Sequence, residues 1–254
     1  MFDLHRSAAD YAYDRLREEL LAGHLGPGSP IVEGEWAERL GLSVTPVREA
    51  LRRLEAQGLV VRRRHRDVRV RSFTEAEAEA LYEYRAMLEA MCAGLAAARI
   101  DAAGAERLRG LVRAMKEALR SGTPIELHNN AFHAALGEMS GNPFLAYALH
   151  DVWLMVPVLR AASWSRFHDR PSEAVEEHCA IAEAVAAGRA AEATDLARTH
   201  ALRAWQRLFE ALDHRANDMG ASQLEERWRV LEELLHRDPP AASIEGADPG
   251  SLAP

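Results

Sequence analysis

The chain has 254 residues, of which 48% are hydrophobic and 28% are charged, which suits two globular domains or one large one. Two cysteines, Cys92 and Cys179, give no disulfide framework and favour a reducing cytosol. The N-terminus carries no secretion signal, and no apolar run reaches the length of about 18 residues that crosses a membrane. We therefore expect a cytoplasmic protein without membrane spans.

The charge is distributed unevenly along the chain. A net charge of −8 by itself argues against nucleic-acid binding. Between Arg48 and Arg71, however, nine arginines face three acidic residues, a local balance of +6. Residues 1–72 carry 13 basic and 11 acidic groups, which leaves 18 and 28 for residues 73–254. A basic patch on an acidic body is typical of a protein that binds a polyanion.

The N-terminal part begins with a predicted helix over residues 9–22. Residues 26–30, Gly-Pro-Gly-Ser-Pro, indicate a loop by composition. A short amphipathic helix follows at residues 36–40, and Gly41 allows the chain to bend sharply. This pattern predicts the first helix of a helix-turn-helix.

Residues 43–54 predict the second helix of that unit. Its apolar residues repeat at i, i+3, i+4 and i+7 and therefore need a core: Val47, Ala50, Leu51 and Leu54. Thr45, Arg48 and Arg52 share another face, where they can contact a partner. Ser43 or Thr45 can cap the start of the helix. We therefore expect a recognition helix that carries arginines outward.

After Gly58, a natural helix stop, residues 59–61 and 68–70 are short β-like runs joined by an arginine-rich turn. That turn predicts a wing with access to the minor groove. Arg48 and Arg52 are candidate guanine readers, with phosphate contact as the alternative. The candidate DNA-contacting residues are the start of the recognition helix and the wing tip: Ser43, Val44, Thr45, Arg48, Arg52, Arg64, His65 and Arg66.

Residues 10–71 resemble the winged helix-turn-helix of GntR-family transcription regulators. The resemblance rests on the long first helix, the Gly-His-Leu-Gly-Pro-Gly segment at 23–28, Glu-Trp-Ala-Glu at 35–38 and Thr-Pro-Val-Arg-Glu-Ala-Leu at 45–51. Two positions depart from the family pattern: the wing tip has no glycine, and Val44 stands where a basic residue is common. Val44 can contact a thymine methyl group but cannot donate to guanine.

A second domain is predicted to begin at Thr74, because Thr74 and Glu77 form a capping box. The pattern is helical from there on, with short loops between six predicted helices: 74–98, 102–120, 124–139, 143–167, 173–187 and 190–214. These favour an antiparallel six-helix bundle, with a possible last amphipathic helix at 222–237. The expected domains are residues 1–73, residues 74–237 and a disordered tail at residues 238–254.

Three histidines in the bundle fall at related positions. If the last two predicted helices form a hairpin that turns near Arg189, His178 and His200 each lie eleven residues from the turn. Both are then about 16 Å from it, at equal depth. On another helix, Asn129 and His133 are four residues apart and share a face. We favour a metal site over three separate structural histidines.

The bundle resembles the FCD effector-binding domain of the FadR subfamily, through Asn-Asn-Ala-Phe-His at 129–133, Ser-Gly-Asn-Pro at 140–143, Glu-His-Cys-Ala-Ile at 177–181 and Thr-His at 199–200. The resemblance implies that an aspartate and three histidines bind a divalent metal whose coordination a small carboxylate effector completes. Here Asn129, His133, His178 and His200 occupy the four positions. Imidazole-rich ligation suits zinc or nickel.

Arg85 and Arg160 are the candidate effector-binding cations, with an ion pair to a neighbouring glutamate as the alternative for each.

Taken over the whole chain, the sequence predicts a mainly α fold, a winged helix-turn-helix with a small β wing followed by an all-α bundle. The resemblance implies a homodimeric repressor that binds a palindromic operator and responds to a small organic acid. The rival hypotheses are a metal-dependent helical-bundle enzyme and a metal-sensing regulator without an organic effector.

Overall fold

The computed structural model describes residues 7–64, 67–161 and 171–212. These residues form an N-terminal unit of three helices and a two-stranded sheet, followed by a bundle of six helices. The elements are α1 (Ala8–Leu21), α2 (Glu33–Leu40), α3 (Val44–Ala56), β1 (Val60–Arg64), β2 (Asp67–Val70), α4 (Glu75–Arg99), α5 (Ala102–Ser121), α6 (Glu126–Met139), α7 (Pro143–Ala161), α8 (Pro171–Ala186) and α9 (Ala190–Leu212).

The N-terminal unit is built around α3, as the apolar period predicts. The four stripe residues are fully buried: Val47, Ala50, Leu51 and Leu54. They pack against α1, whose Leu16 and Leu20 are also fully buried. Gly41 ends α2 with a φ of 67°, a left-handed conformation that a residue with a Cβ adopts only at a cost. The predicted helix-turn-helix is confirmed.

The cap of α3 differs from the prediction. Ser43 stands at the N-cap position, but its side chain makes no capping hydrogen bond. An N-cap hydroxyl bonds the amide of the second or third helical residue. The third residue here is Pro46, which has no amide hydrogen. Thr45, the second residue, lies inside the helix and is not its cap.

The wing is an antiparallel pair of strands slightly longer than predicted. Val60 pairs with Val70 and Arg62 with Val68, and the register is irregular between Arg62 and Arg64. His65 and Arg66, the predicted wing tip, lie outside the described residues, as does the side chain of Arg64.

Among the described residues, short turns join α4 to α5, α5 to α6, α6 to α7 and α8 to α9, as predicted for these connections. The capping box of Thr74 and Glu77 is present. α4 packs along α9, α5 packs against α8, and α6 lies between α5 and α7. The predicted helix at 222–237, the tail, and the last residues of the helices predicted to end at 167 and 214 lie outside the described residues. In the described part, no helix is long and apolar enough to cross a membrane.

α7 contributes to both hydrophobic cores. Val152 and Val156 are buried in the core of the bundle. Leu154 and Val158 instead join the core of the N-terminal unit, next to α1. Pro157 lies inside this helix and has no amide hydrogen to bond the carbonyl four residues before it. One helix therefore connects the two parts of the described chain.

Candidate functional site

Three histidines meet in the interior of the bundle. His133 comes from α6, His178 from α8 and His200 from α9, and their side chains are at most 3% exposed. One ring nitrogen from each can be chosen so that the three atoms lie within 4.8 Å of one another. The Nε2 atoms of His133 and His178 are 3.0 Å apart. The equal depth inferred for His178 and His200 thus corresponds to a real cluster.

Hydrogen bonds at the outer nitrogens of His178 and His200 indicate which nitrogen of each of these two rings carries the proton. Nδ1 of His178 lies 2.5 Å from the carbonyl oxygen of Ala174. Nδ1 of His200 lies 2.7 Å from a carboxylate oxygen of Glu177. Because both partners only accept hydrogen bonds, we assign the proton to Nδ1 in each ring. The lone pair is then on Nε2, as in a metal-binding histidine oriented by an outer partner.

Nδ1 of His133 lies 3.3 Å from Oε1 of Glu89, within ion-pair range but without an aligned hydrogen bond, so this contact does not fix the tautomer of His133. The Nε2 atoms of His133 and His178 lie at hydrogen-bond distance, 3.0 Å. With the lone pair of His178 on Nε2, a proton on Nε2 of His133 would complete this contact in the metal-free protein. A metal would take the place of that proton, and three neutral imidazoles are a donor set that fits a divalent metal.

Burial keeps these imidazoles uncharged. Burial, followed by the charge of His178, lowers the pKa of His133 well below its ordinary value. Burial, followed by the charge of His200, lowers the pKa of His178 in the same direction. Burial also lowers the pKa of His200, against the opposing effect of the Glu177 carboxylate. Neutral imidazoles are the form that binds metal, so the site does not need to lose protons near neutral pH.

Acid should destabilise the metal-free protein because of these lowered pKa values. Below the ordinary histidine pKa of 6.5, the unfolded chain takes up protons that the three buried imidazoles resist. We expect the free energy of unfolding to fall as the pH decreases from about 7 to about 5, measured by urea titration with a chelator present. Replacing His133 with Gln should make the free energy of unfolding depend less steeply on pH. A stability independent of pH across this window would contradict the neutral, buried assignment.

Glu177 holds His200 in place from outside the cluster. Besides the bond to His200, this carboxylate accepts two hydrogen bonds of 3.1 Å from Arg207 and one of 3.4 Å from Arg203. Burial opposes its ionisation, but the bonds from His200 and Arg207 outweigh burial and lower the pKa of Glu177 to about 2. A cleft of about 490 Å³ between α8 and α9 reaches both Glu177 and His200.

Replacing Glu177 with Gln should weaken zinc binding about ten- to a hundred-fold, because a neutral amide supports the imidazole of His200 less strongly than a carboxylate does. Competition with a fluorescent chelator measures the affinity. Glu176→Gln is the matched control, since Glu176 is the preceding residue and forms an exposed ion pair with Lys116. Equal zinc affinities for both variants would show that Glu177 does not act through His200.

An ion pair is buried beside the histidines. Arg85 and Glu89, one turn apart on α4, are 0% and 1% exposed, and Nε of Arg85 donates to Oε1 of Glu89 at 2.7 Å. Nη2 of Arg85 lies 3.3 Å from Nε2 of His200. The guanidinium therefore reaches the metal-facing nitrogen of a candidate ligand. The ion pair that was the alternative for Arg85 is present, and the effector-binding role of Arg85 stays a prediction.

Trp153 of α7 closes the other side of the cluster. Its ring stacks on His133, with centroids 4.1 Å apart and planes inclined by 26°. Its indole N–H donates to Oε1 of Glu89 at 3.2 Å. The guanidinium carbon of Arg85 lies 4.5 Å from the centroid of the Trp153 ring. Trp153 thus contacts a candidate ligand and both members of the ion pair.

Asn129 and Arg160 are the other two residues predicted for the metal and effector site. Asn129 is partly buried one turn before His133, and its side-chain nitrogen donates to the Asn130 side chain at 3.3 Å. Arg160 is partly buried near the end of α7, and its charge is among the causes that lower the pKa of His133. Arg160 therefore lies within electrostatic range of the site.

The sequence interpretation missed the roles of Glu89, Glu177 and Trp153. The i, i+4 spacing of Arg85 and Glu89 was available as a signal for an ion pair on one helix. Glu177 directly precedes a candidate ligand. Nothing in the sequence distinguishes Trp153 from an ordinary core tryptophan.

The start of α3 presents the candidate DNA-contacting residues to solvent: Ser43, Val44, Thr45, Arg48 and Arg52. Arg48 donates to Glu33 of α2 at 2.9 Å. Arg53 bonds Asp10 of α1 at 2.7 Å and lies over the Tyr13 ring. All three arginines are exposed, and Arg48 pairs with α2 while Arg53 pairs with α1.

Replacing Arg48 with Ala should cost about 1–3 kcal/mol of operator affinity and relax the sequence preference, if Arg48 reads a base. Gel-shift titrations with DNA from upstream of the chain's own gene, and with mutated copies of it, measure both effects. Arg53→Ala, one helix position beyond Arg52, is the control that should leave affinity nearly unchanged. A uniform loss across all sequences would identify Arg48 as a phosphate contact.

A winged helix-turn-helix followed by an all-helical domain defines a class of two-part DNA-binding transcription regulators. Two family models match the chain: "Bacterial regulatory proteins, gntR family" at residues 8–70 and "FCD domain" at residues 80–204. The chain belongs to the GntR family of bacterial transcription regulators and has the FCD architecture typical of the FadR subfamily.

Relatives agree with this assignment. The chain is 34% identical to the probable D-xylose utilization operon transcriptional repressor of Paenarthrobacter nicotinovorans, over 78% of this chain and 87% of that protein. It is 28% identical to the transcriptional repressor GlaR of Escherichia coli, over 75% and 90%. The solved structure of McbR/YncC from E. coli has a TM-score of 0.71 at 21% identity, covering 82% and 100%. The chain is a DNA-binding transcription regulator, and the enzyme alternative is not supported.

Proposed function

We propose that this regulator is a cytoplasmic repressor whose operator affinity is controlled by a small organic acid bound at a metal in the helical domain. The observation that carries this proposal is the convergence of three buried imidazoles, one ring nitrogen of each lying within 4.8 Å of the others. In this proposal residues 1–73 bind DNA and residues 74–237 bind the effector and form the dimer. Two recognition helices of a homodimer then read a palindromic operator.

His133, His178 and His200 would hold the metal, and their neutral imidazoles favour zinc or nickel. Three protein ligands leave coordination positions open for another group. Asn129, one turn before His133, would contribute an amide oxygen without charge, so we expect weaker metal binding than with an aspartate. When bound, the metal would act as a Lewis acid that attracts a carboxylate.

Arg85 supports the choice of an anionic effector. Its guanidinium reaches Nε2 of His200 at 3.3 Å, so an acid bound at the histidines would also meet a fixed positive charge. Arg160 adds positive potential from the end of α7. An isolated anion in such a buried place is stable only when cations of this kind are close to it.

α7 supports communication between effector and operator. Trp153 stacks on His133, and Leu154 and Val158 of the same helix belong to the core of the DNA-binding unit. A ligand that displaces Trp153 would therefore also move side chains under α1. The ligand changes operator affinity only as far as it binds the two arrangements with different affinity.

A thermal-shift screen of the full chain against small carboxylates and sugar acids, with and without prior chelation, tests the proposal. A ligand at a hundred times its Kd should stabilise the protein by about 2.7 kcal/mol. We expect an acid whose effect requires metal and which weakens operator binding in a gel shift.

Two outcomes contradict the proposal. If an acid still stabilises the protein after the metal has been removed by chelation, the metal is not its binding site. If added zinc alone alters operator affinity and no acid has any effect, the protein is a metal sensor.

A further inference from the structure

A cleft of about 380 Å³, the valine cleft, lies beside the start of the recognition helix. It is lined by Val32, Glu33 and Gly34 at the start of α2 and by Val44 and Arg48 of α3. Val32 and Val44 are 46% and 37% exposed, and among the described residues of the N-terminal unit they are the only exposed large hydrophobic side chains. Because both line one cleft and are not scattered over the surface, they indicate a binding site for an apolar group.

Gly34 leaves the valine cleft open, because it contributes no side chain to it. A Cβ placed on Gly34 would meet no atom of the protein within 4 Å. Any larger residue at this position would therefore put its side chain into space that is open in this chain. The cleft consequently has room for a small group that enters from outside.

The edge of the valine cleft is positively charged. Nε of Arg48 donates to a carboxylate oxygen of Glu33 at 2.9 Å, and Nη2 of Arg48 lies at the same distance from that oxygen. Nη1 of Arg62 lies 3.7 Å from the other oxygen of Glu33. Two guanidinium groups against one carboxylate leave a net positive charge beside the apolar surface. The cleft therefore suits a partner that is anionic and also carries an apolar group.

DNA has both properties. Helix-turn-helix proteins place the first residues of the recognition helix against base edges in the major groove, and Val44 is the first residue of α3. Among the groups that base pairs present in that groove, only the methyl group of thymine is apolar. The phosphates on either side of the groove match the positive charge of Arg48 and Arg62, which a hydrophobic peptide would not do.

We propose that the valine cleft binds the 5-methyl group of a thymine in the operator, and that Val32 and Val44 thereby determine a base preference. Val44 contacts the methyl group from α3, Val32 contacts it from α2, and Gly34 leaves room for it. Base reading then extends to the first helix of the helix-turn-helix. The inference rests on the DNA binding of the proposed function and does not depend on its metal or effector.

Replacing thymine with uracil tests the proposal, because uracil lacks only the methyl group. Binding sites are first selected with the full chain from a pool of random duplexes, and thymine should recur at a fixed position in the selected sequences. The pool is copied enzymatically and holds no methylated cytosine, so thymine is the only source of the methyl group. Each thymine of a selected duplex is then replaced in turn. In gel-shift titrations, uracil at the fixed position should weaken binding about four-fold, the value for one methyl group removed from an apolar contact.

Two outcomes of this experiment overturn the inference in different ways. If uracil has no effect at any position of the selected duplex, the methyl group is not read, and the DNA binding of the proposed function remains. If no sequence is enriched from the pool, the sequence-specific DNA binding of the proposed function fails and the inference fails with it.

Val44→Ala and Val32→Ala assign the effect to the cleft. Each variant should bind the thymine duplex more weakly than the wild type and should show a smaller difference between the thymine and uracil duplexes. Leu127→Ala, which removes a side chain that is 77% exposed on α6, should keep the four-fold difference. Circular dichroism verifies that the variants are folded. A full four-fold difference in one valine variant overturns the role of that valine, and in both variants it overturns the inference.

Discussion

Replacing Arg85 with Met is expected to destabilise the metal-free protein by about 3–5 kcal/mol, because the substitution leaves the carboxylate of Glu89 buried without its cation. Glu89 is 1% exposed and cannot reach water. The indole of Trp153, at 3.2 Å, and Nδ1 of His133, at 3.3 Å, would be the neighbours left to its Oε1. The loss is measured by urea titration in the presence of a chelator.

Two further variants separate the charge effect from simple loss of packing. Arg85→Met combined with Glu89→Leu removes both charges and should recover most of the lost stability, since a buried ion pair contributes little over apolar side chains of similar volume. Arg109→Met breaks an exposed pair with Glu183 and should cost less than about 1 kcal/mol. A double variant as unstable as Arg85→Met alone would mean that shape, and not an unpaired charge, explains the effect.

Replacing His178 with Ala is expected to lower zinc affinity about a hundred- to a thousand-fold, because one ligand supplies roughly a quarter of the free energy of a structural zinc site. His178 is the ligand whose Nε2 faces that of His133 at 3.0 Å. Its removal also leaves a cavity and takes away this contact, so the metal-free variant should lose stability as well.

His150→Ala is the control for this measurement, because His150 is an exposed histidine on α7. Zinc affinity is obtained by competition with a chelator of known affinity, and circular dichroism verifies that both variants are folded. If His178→Ala binds zinc as tightly as the wild type, the three histidines form a structural cluster and not a metal centre.

The fold could be predicted from local patterns because those patterns repeat at the helical period. The stripe from Val47 to Leu54 required a core, and the capping box at Thr74 marked the first bundle helix. The same arithmetic placed His178 and His200 at one depth, since rise per residue is a constant of the helix. These inferences need no knowledge of neighbouring helices.

The surroundings of the histidines could not be predicted, because they depend on how helices are rotated against each other. Glu89 faces inward and Glu177 faces the same cluster from outside, yet both are glutamates on helices rich in exposed glutamates. Trp153 lies in an apolar stretch of α7, where nothing local distinguishes it from an ordinary core residue. At Ser43 part of the cause is local, since Pro46 has no amide hydrogen and leaves only that of Thr45 for the Ser43 hydroxyl.

The sharing of α7 between two cores has a consequence for how the protein melts. Leu154 and Val158 are 3% and 2% exposed, and both pack into the core of the N-terminal unit. If the bundle unfolds, that core loses two of its buried side chains and opens to water. Calorimetry of the intact chain should therefore show one endotherm in place of two. An isolated N-terminal fragment would have lost part of its own interior, which makes the full chain the better material for binding studies.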